Sequence, residues 1–400
     1  MSKIKLQKGT LETIIVFILS PFLSVPFIFA QLRRGHERYM TFLLSIIMGF
    51  ISFLFIPHYS NDKTRYIERF ELFSNFNLHD LQEYFVYGLR PDYIFDFIIY
   101  MFAKLGYSYH YFFFFVTTVT VFSIFKFIQK TNETLVRSFN YKHTLLFVIL
   151  ILGALSFPNL LSGIRFFLAG SVFIWAVYFL LINKSLVKGV LFFTVAILTH
   201  FSFAFFIPAI LLIAYWPKKI DPKFLLLISL IFLFLPKTIL GDIFQLFDLS
   251  ESYGGKVDSY LSSEREETLN FKILTHLRAL WVYFSYVYIL IINKEKDTNK
   301  LFLLFIVTLS FINMTFSVPV VFNRYLIVSK IFFVTYLIYK KNTKSIKLKY
   351  FYTFLGLIVM SCLIDLYVLR PNIFASYSLS NMATIVNILS SKFSAIDILN

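Results

Sequence analysis

The chain is predicted to be all-α and polytopic in a membrane, with about 11–13 transmembrane helices and a re-entrant or interfacial helix on one face. Three observations carry that prediction. Hydrophobic residues fill 58% of the 400 positions, with 53 Phe and 25 Tyr among the aromatic ones, well above the globular norm. Apolar stretches recur from residue 11 to residue 368 between short charged loops, on the scale needed to cross about 30 Å of hydrocarbon. No remaining segment is large enough for a soluble domain, so residues 1–400 read as a single integral membrane domain.

A net charge of +16 suggests a polyanionic partner only if it gathers on one surface. Here it collects in alternate loops, which is a topology signal, and no nucleic-acid partner is predicted. The only cysteine, Cys362, lies within a span, which excludes a disulfide framework and a cysteine-ligated metal site. The opening MSKIKLQKGT is cationic and precedes an apolar segment without a small-residue cleavage pattern, so a retained first helix is expected.

Taken in order, spans are expected near 11–30, 40–56, 111–129, 143–158, 163–182, 189–200, 201–216, 224–240, 277–293, 301–317, 322–339 and 350–368. The loops at 31–39, 126–142, 183–188, 217–223, 294–300 and 340–349 hold 20 Lys/Arg against 5 Asp/Glu, which makes them cytoplasmic. The loops at 57–92 and 241–275 carry more acids than bases and are expected outside. With that topology Lys3, Lys5 and Lys8 fall outside too, unless Pro21 and Pro26 break the first segment and let it re-enter.

Residues 57–110 form the first outer (periplasmic) loop in this reading, and 241–276 the second. YIFDFIIYMFAKLG, 93–106, is apolar but short, and is expected as an outer interfacial or re-entrant helix. In DKTRYIERFELF, 62–73, Tyr66, Phe70 and Phe73 share one helical stripe and Asp62, Arg65 and Arg69 lie off it, the pattern of another interfacial helix. The stretch 370–400 is expected as an outer-face amphipathic tail, with Ile385, Leu389, Phe393 and Ile396 at helical spacing.

Placed by depth, the polar residues converge on the outer side. Arg165 sits three residues into an outside-to-inside span, and His200 ends the return segment short of the outer surface. Thr199, His200 and Ser202 occupy the tip of that hairpin, while Arg278 and Arg324 begin two further outside-to-inside spans; Arg90 and Arg370 add charge near the same level. A cation within hydrocarbon costs about 2.5–3.5 kcal/mol on the insertion scale, so Arg165 points to a water-accessible cavity. Guanidinium favours bidentate oxyanion contacts, and the natural anion at this depth is a lipid phosphate or diphosphate. Plainer readings stand beside these: Arg278 and Arg324 as snorkelling helix anchors, His200 as a packing residue, and Asp62 as a helix cap. Asp62, Glu68, Asp80, Asp92 and Asp96 include no diagnostic metal spacing, and no nucleotide-binding glycine loop, HExxH or GxSxG is present. No metal and no cofactor are predicted.

The segments NDKTRYIERF, RPDYIFDFIIYMFAKLG, GIRFFLAGSVFIWAVYFL, VAILTHFSFAFFIPAIL and FNRYL resemble, in that order, the EpsG-like group of Wzy-type O-antigen and exopolysaccharide polymerases. The resemblance spans roughly residues 40–330, and its most specific piece pairs Arg165 to Ala169 with the later His200-x-Ser202. It departs at YSND before Asp62, where Gly and Thr are common, and at Phe166, where Gln is common. The resemblance implies a GT-C-like glycosyltransferase of the bacterial cytoplasmic (inner) membrane working at its outer face. Donor and acceptor would be undecaprenyl-diphosphate-linked glycans in the bilayer, with a chain-length regulator and a flippase as candidate protein partners. Arg165 with Arg278 or Arg324 would stabilise the departing diphosphate, His200 or Asp62 would orient or deprotonate the acceptor hydroxyl, and Arg90, Arg65 and Tyr66 would bind diphosphate or sugar. A lipid-linked oligosaccharide flippase and an O-antigen ligase-type transferase remain the alternative readings.

Overall fold

The computed structural model of the protein describes residues 8–34, 37–87, 92–136, 143–216, 220–234, 269–293, 299–394 and 397–399. Among these residues the chain is helical with no β-strand, apart from one isolated bridge between His58 and Leu399. Arg90 and most of the expected second outer loop, 241–276, lie outside the described residues.

Proline divides the first apolar segment. Helix α1 (Lys8–Leu19) stops before Pro21, and α2 (Val25–Arg33) carries Pro26 in its first turn, the position where a missing N–H costs nothing. Helix α3 (Glu37–Leu54) then runs against the later α7 (Tyr109–Leu135) in the most extensive helix contact among the described residues. Between α3 and α7 lie three shorter helices: α4 (Asp62–Asn75), α5 (Leu78–Tyr87) and α6 (Tyr93–Lys104). After α7 come α8 (Thr144–Ala154), α9 (Phe157–Leu161) and α10 (Ile164–Val177), the last continued by a π-turn over Tyr178–Ile182. Helix α11 (Leu186–Thr199) returns beside α10, and a 3-10 turn, Phe201–Phe206, leads into α12 (Ile207–Tyr215) and α13 (Pro222–Ser229). Among the described residues there follow α14 (Leu269–Arg278), α15 (Leu280–Val287), α16 (Lys300–Met314), α17 (Pro319–Asn342) and α18 (Leu348–Val368), then α19 (Arg370–Ser376), α20 (Leu379–Met382) and α21 (Ile385–Ser390).

The chain is an all-α polytopic membrane protein. Among the described residues, Tyr109–Leu135, Ile164–Ile182, Val321–Asn342 and Leu348–Val368 are long and apolar enough to cross a membrane, and the pair Lys272–Arg278 and Leu280–Ile292 makes a fifth span if counted across its 49° bend. Other expected spans are apolar helices of 10–17 residues. Breaks account for much of this shortening: α8 ends four residues before Pro158, and the segment from residue 201 starts as a 3-10 turn and becomes α-helical only at Ile207, next to Pro208. Helix α17 is buried along most of its length whereas α18 leaves much of its surface uncovered, which separates a central from a peripheral helix.

The apolar stripe of α4 faces protein. Tyr66, Phe70 and Phe73 are buried in a second aromatic core with Phe95 and Ile99 of α6, Phe112 and Phe113 of α7, and Ile164 and Leu168 of α10. These short helices are thereby fastened to the N-terminal ends of α7 and α10. Lys63, one turn before Tyr66 on the same side of α4, is fully buried; its Nζ donates to the Ser52 and Phe55 carbonyls at 2.7 and 2.8 Å and lies against the Phe113 ring. It caps the C-terminus of α3, where a cation meets the negative end of the helix dipole. Burial lowers its pKa well below the ordinary value.

The tail is a strap. Helix α21 ends at Ser390, before Phe393, and Ile396 lies outside the described residues. Ile388 and Phe393 are buried, the Phe393 carbonyl lies 2.8 Å from His110 Nε2, and Leu399 pairs with the segment around His58. Thr384 caps the start of α21 by accepting the Asn387 N–H, and the helix ends at Ser390, so the helical spacing read from the sequence stops after Leu389 rather than continuing as one amphipathic helix.

Candidate functional site

Four parts of the chain meet around a cavity of about 140 Å³. The first turn of α4 contributes Asp62 and Tyr66; the junction of α9 and α10 contributes Asn159, Ser162, Gly163, Arg165 and Phe166; the turn after α11 contributes His200; and α17 contributes Arg324.

The α9–α10 junction is built by local chemistry. Pro158 starts a five-residue helix, whose end is closed by the Ser162 and Gly163 N–H groups, both donating to the Pro158 carbonyl. Helix α10 restarts from Gly163, which offers no side chain to cap it. The N-terminus of a helix concentrates N–H groups without intrahelical acceptors, and here Gly163 and Arg165 place that terminus on the cavity wall. An N-terminal turn disfavours a cation, and Asp92, just before α6, supplies the compensation. Its Oδ2 lies 2.6 Å from Arg165 Nη1, and its Oδ1 accepts the Phe201 backbone N–H at 3.2 Å. One carboxylate thus ties the arginine helix to the histidine turn.

His200 is the N-cap of the 3-10 turn. Its Nδ1 accepts the Ser202 N–H at 3.3 Å and lies 2.8 Å from Ser202 Oγ. A backbone N–H can only donate, so in the neutral ring the proton resides on Nε2. The His-x-Ser spacing therefore sets a tautomer. Tyr325 O–H donates to the Ser202 carbonyl at 3.0 Å, joining the same turn to α17 one residue after Arg324, and Phe166 meets the imidazole edge-on at 5.3 Å.

Tyr66 lies between two cations, its ring 5.9 Å from the guanidinium carbons of both Arg69 and Arg165. Burial pushes its phenol up to about 12, with Arg165 the strongest opposing influence, so it remains a neutral O–H donor at ordinary pH. Behind it, Arg69 pairs with Asp96, which also accepts from Tyr84 O–H at 3.2 Å. Burial raises the Asp96 carboxyl above its usual range while Arg69 pulls it down. Asp62 pairs with Arg65 at 3.0 Å, and Arg65 is largely exposed at the rim.

Of the residues singled out in the sequence, Arg165, His200, Asp62, Tyr66 and Arg324 line one cavity, and Arg65 reaches it through Asp62. Arg278 does not join them: it forms an ion pair with Asp365 of α18 at 2.7 Å. Arg90 lies outside the described residues. Sequence reasoning named Asp92 only among the outer-face acids, without a partner, and passed over Asn159. The acid opening α6 is visible as the D of RPDYIF, but nothing in its spacing points to a partner 73 residues away. It also passed over Lys330, six residues beyond Arg324, which is buried and donates to Ser361 Oγ at 2.9 Å.

No curated protein and no solved structure matches the chain. The family comparison is positive and covers every element of the cavity, from α4 to α17: residues 38–379 match the model of the EpsG family, and the chain belongs to that family.

Proposed function

We propose that the protein polymerises oligosaccharide repeat units carried on a membrane lipid diphosphate, undecaprenyl diphosphate in the bacterial cytoplasmic membrane, by glycosyl transfer at the outer face. EpsG family membership supports a polysaccharide-polymerase type of role. The observation that carries the finer reading is one cavity that combines Arg165, Arg324, the uncapped start of α10 and the His200 ring with the Asp62 carboxylate.

The chemistry divides between these groups. The anomeric carbon–oxygen bond to the diphosphate breaks as the acceptor hydroxyl oxygen bonds to the anomeric carbon. Charge accumulates on the departing diphosphate, where Arg165, Arg324 and the helix N-terminus stabilise it electrostatically. His200 presents Nε2–H as a further donor to that anion. Its Nδ1 is occupied by Ser202, which leaves Asp62 to accept the acceptor's proton. The cavity volume falls below the roughly 300–1,000 Å³ of ordinary ligand pockets. It suits a diphosphate headgroup, with the glycan extending outward over α4 to α6.

The test is glycan length in a deletion strain complemented with wild type or Arg165→Ala. Loss of one oxyanion-stabilising group lowers turnover by about 100- to 1,000-fold, so the variant is expected to leave single repeat units at the surface. Wild-type chain lengths with Arg165→Ala would remove Arg165 from the reaction. Full-length chains retained on the lipid carrier would make ligation the activity, and units trapped on the cytoplasmic face would make it transport.

A further inference from the structure

A second cavity, of about 510 Å³, lies at the far end of the α7–α10 pair. Tyr178, on its wall, follows Arg165 by 13 residues, about 20 Å along the helix, so this cavity belongs to the opposite membrane boundary from the Arg165 site. One wall is a polar stripe of α7 at helical spacing: Lys126, Gln129, Lys130 and Glu133. The facing wall is aromatic: Trp175, Tyr178 and Phe179.

Both walls are held in place. Trp175 Nε1–H donates to Ser123 Oγ at 2.9 Å, and Tyr178 O–H lies 3.1 Å from Thr134 Oγ1, so α7 fixes the rings of α10. Trp175 and Phe179 lie 5.9 Å apart with ring planes inclined by 32°. The π-turn over Tyr178–Ile182 inserts an extra residue into the helical register there, a feature often found at binding sites. Lys126 is half-buried and gives one hydrogen bond to Gln129 Oε1 at 3.0 Å, which in turn is linked to Glu133. An ammonium carries three donors. Lys188 of α11 lies outside the lining, its Nζ 5.8 Å from the Phe179 ring. Two lysines thus share the cavity with one carboxylate, Lys130 lying 4.0 Å from Glu133, beside a rigid apolar wall at the depth where lipid headgroups meet acyl chains.

We propose that this cavity binds the headgroup of an anionic phospholipid. Lys126 and Lys130 hold the phosphate, Glu133 accepts from the headgroup hydroxyls, and the Trp175–Phe179 wall covers the glycerol and first acyl carbons. The shared chemistry is an anionic phosphoryl group; the apolar wall and the position at the membrane boundary favour lipid over free phosphate. This inference is independent of the reaction at Arg165.

The experiment uses the full chain in phosphatidylcholine nanodiscs containing increasing fractions of brominated phosphatidylglycerol, with brominated phosphatidylcholine as the zwitterionic comparison. The Trp175 component of fluorescence is obtained by difference from Trp175→Phe. Phosphatidylglycerol is expected to quench it at fractions where phosphatidylcholine does not. Lys126→Ala/Lys130→Ala is expected to raise the half-quenching fraction roughly thirtyfold, about fivefold for each lysine, and Lys126→Arg/Lys130→Arg, which keeps both charges, is expected to restore selective quenching and guards against misfolding of the alanine pair. Equal quenching by both lipids, or unchanged selectivity in the alanine pair, would overturn the proposal. Relief of quenching by excess inorganic phosphate would assign the site to a soluble phosphate and overturn the lipid assignment.

Discussion

Arg165 and Asp92 show how a charge inside a span is tolerated. The pair is short, mostly buried, and anchored again by the Phe201 N–H. Breaking such a pair leaves an uncompensated cation. Asp92→Ala is expected to lower stability by about 3 kcal/mol, and Asp92→Ala/Arg165→Leu to recover part of that loss, as measured by thermal unfolding in detergent; equal losses in both would show that the charge itself does not matter. Lys63 gives a pH signature. Its folded pKa lies below the ordinary value of 10.5, so the unfolded chain binds the proton more readily, and stability rises with pH between the depressed and ordinary values. Wild type is therefore expected to gain stability relative to Lys63→Met as pH is raised from 7 to about 9.5. A pH-independent difference would place the lysine's proton affinity near its ordinary value. The lysine was not legible in the sequence as a cap, because its contacts with Ser52 and Phe55 depend on how α4 folds back over the end of α3.

At the scale of elements, close helix contact and helix interruption position the site. A Cβ on Gly49 of α3 would come within 2.1 Å of Thr118 Oγ1 and 2.9 Å of the Phe114 carbonyl on α7, whereas one on Gly356 of α18 meets nothing within 4 Å. Gly49→Ala is expected to destabilise by about 1–3 kcal/mol, and Gly356→Ala to be neutral or stabilising by up to about 1 kcal/mol. Comparable melting temperatures for the two would contradict the close α3–α7 contact. The α4 stripe was legible by period, since Tyr66, Phe70 and Phe73 do share a buried face. What it packs against was not, because an amphipathic pattern specifies an apolar neighbour without saying whether that neighbour is lipid or protein. The tail shows the complementary limit: its apolar spacing is helical, but α21 ends at Ser390 and the Phe393 contact with His110 continues it as a strap.

The whole molecule has two chemically different ends along α7 and α10. One carries Asp62, Arg165, His200 and Arg324, and the other carries Lys126, Lys130 and the aromatic wall. In a Cys362→Ser background, single cysteines replacing Ser162 and Lys184 are expected to react with a membrane-impermeant maleimide from opposite faces of the membrane. Labelling from the same face would refute the span assigned to Ile164–Ile182.

The sequence by itself determined the all-helical membrane class, because hydropathy and helical period are properties of residues and their neighbours along the chain. It also brought Arg165, His200 and Arg324 into view, because a polar group at a given depth in a span is conspicuous whatever the packing, and Asp62 and Tyr66 through the amphipathic pattern of residues 62–73 and the family resemblance. Tertiary structure alone decided that Asp92 neutralises Arg165, that Arg278 pairs with Asp365 away from the cavity, and that Ser202 sets the His200 tautomer. Charge pairing and proton placement depend on distances of a few ångströms between elements far apart in sequence, and no periodicity along the chain encodes such distances.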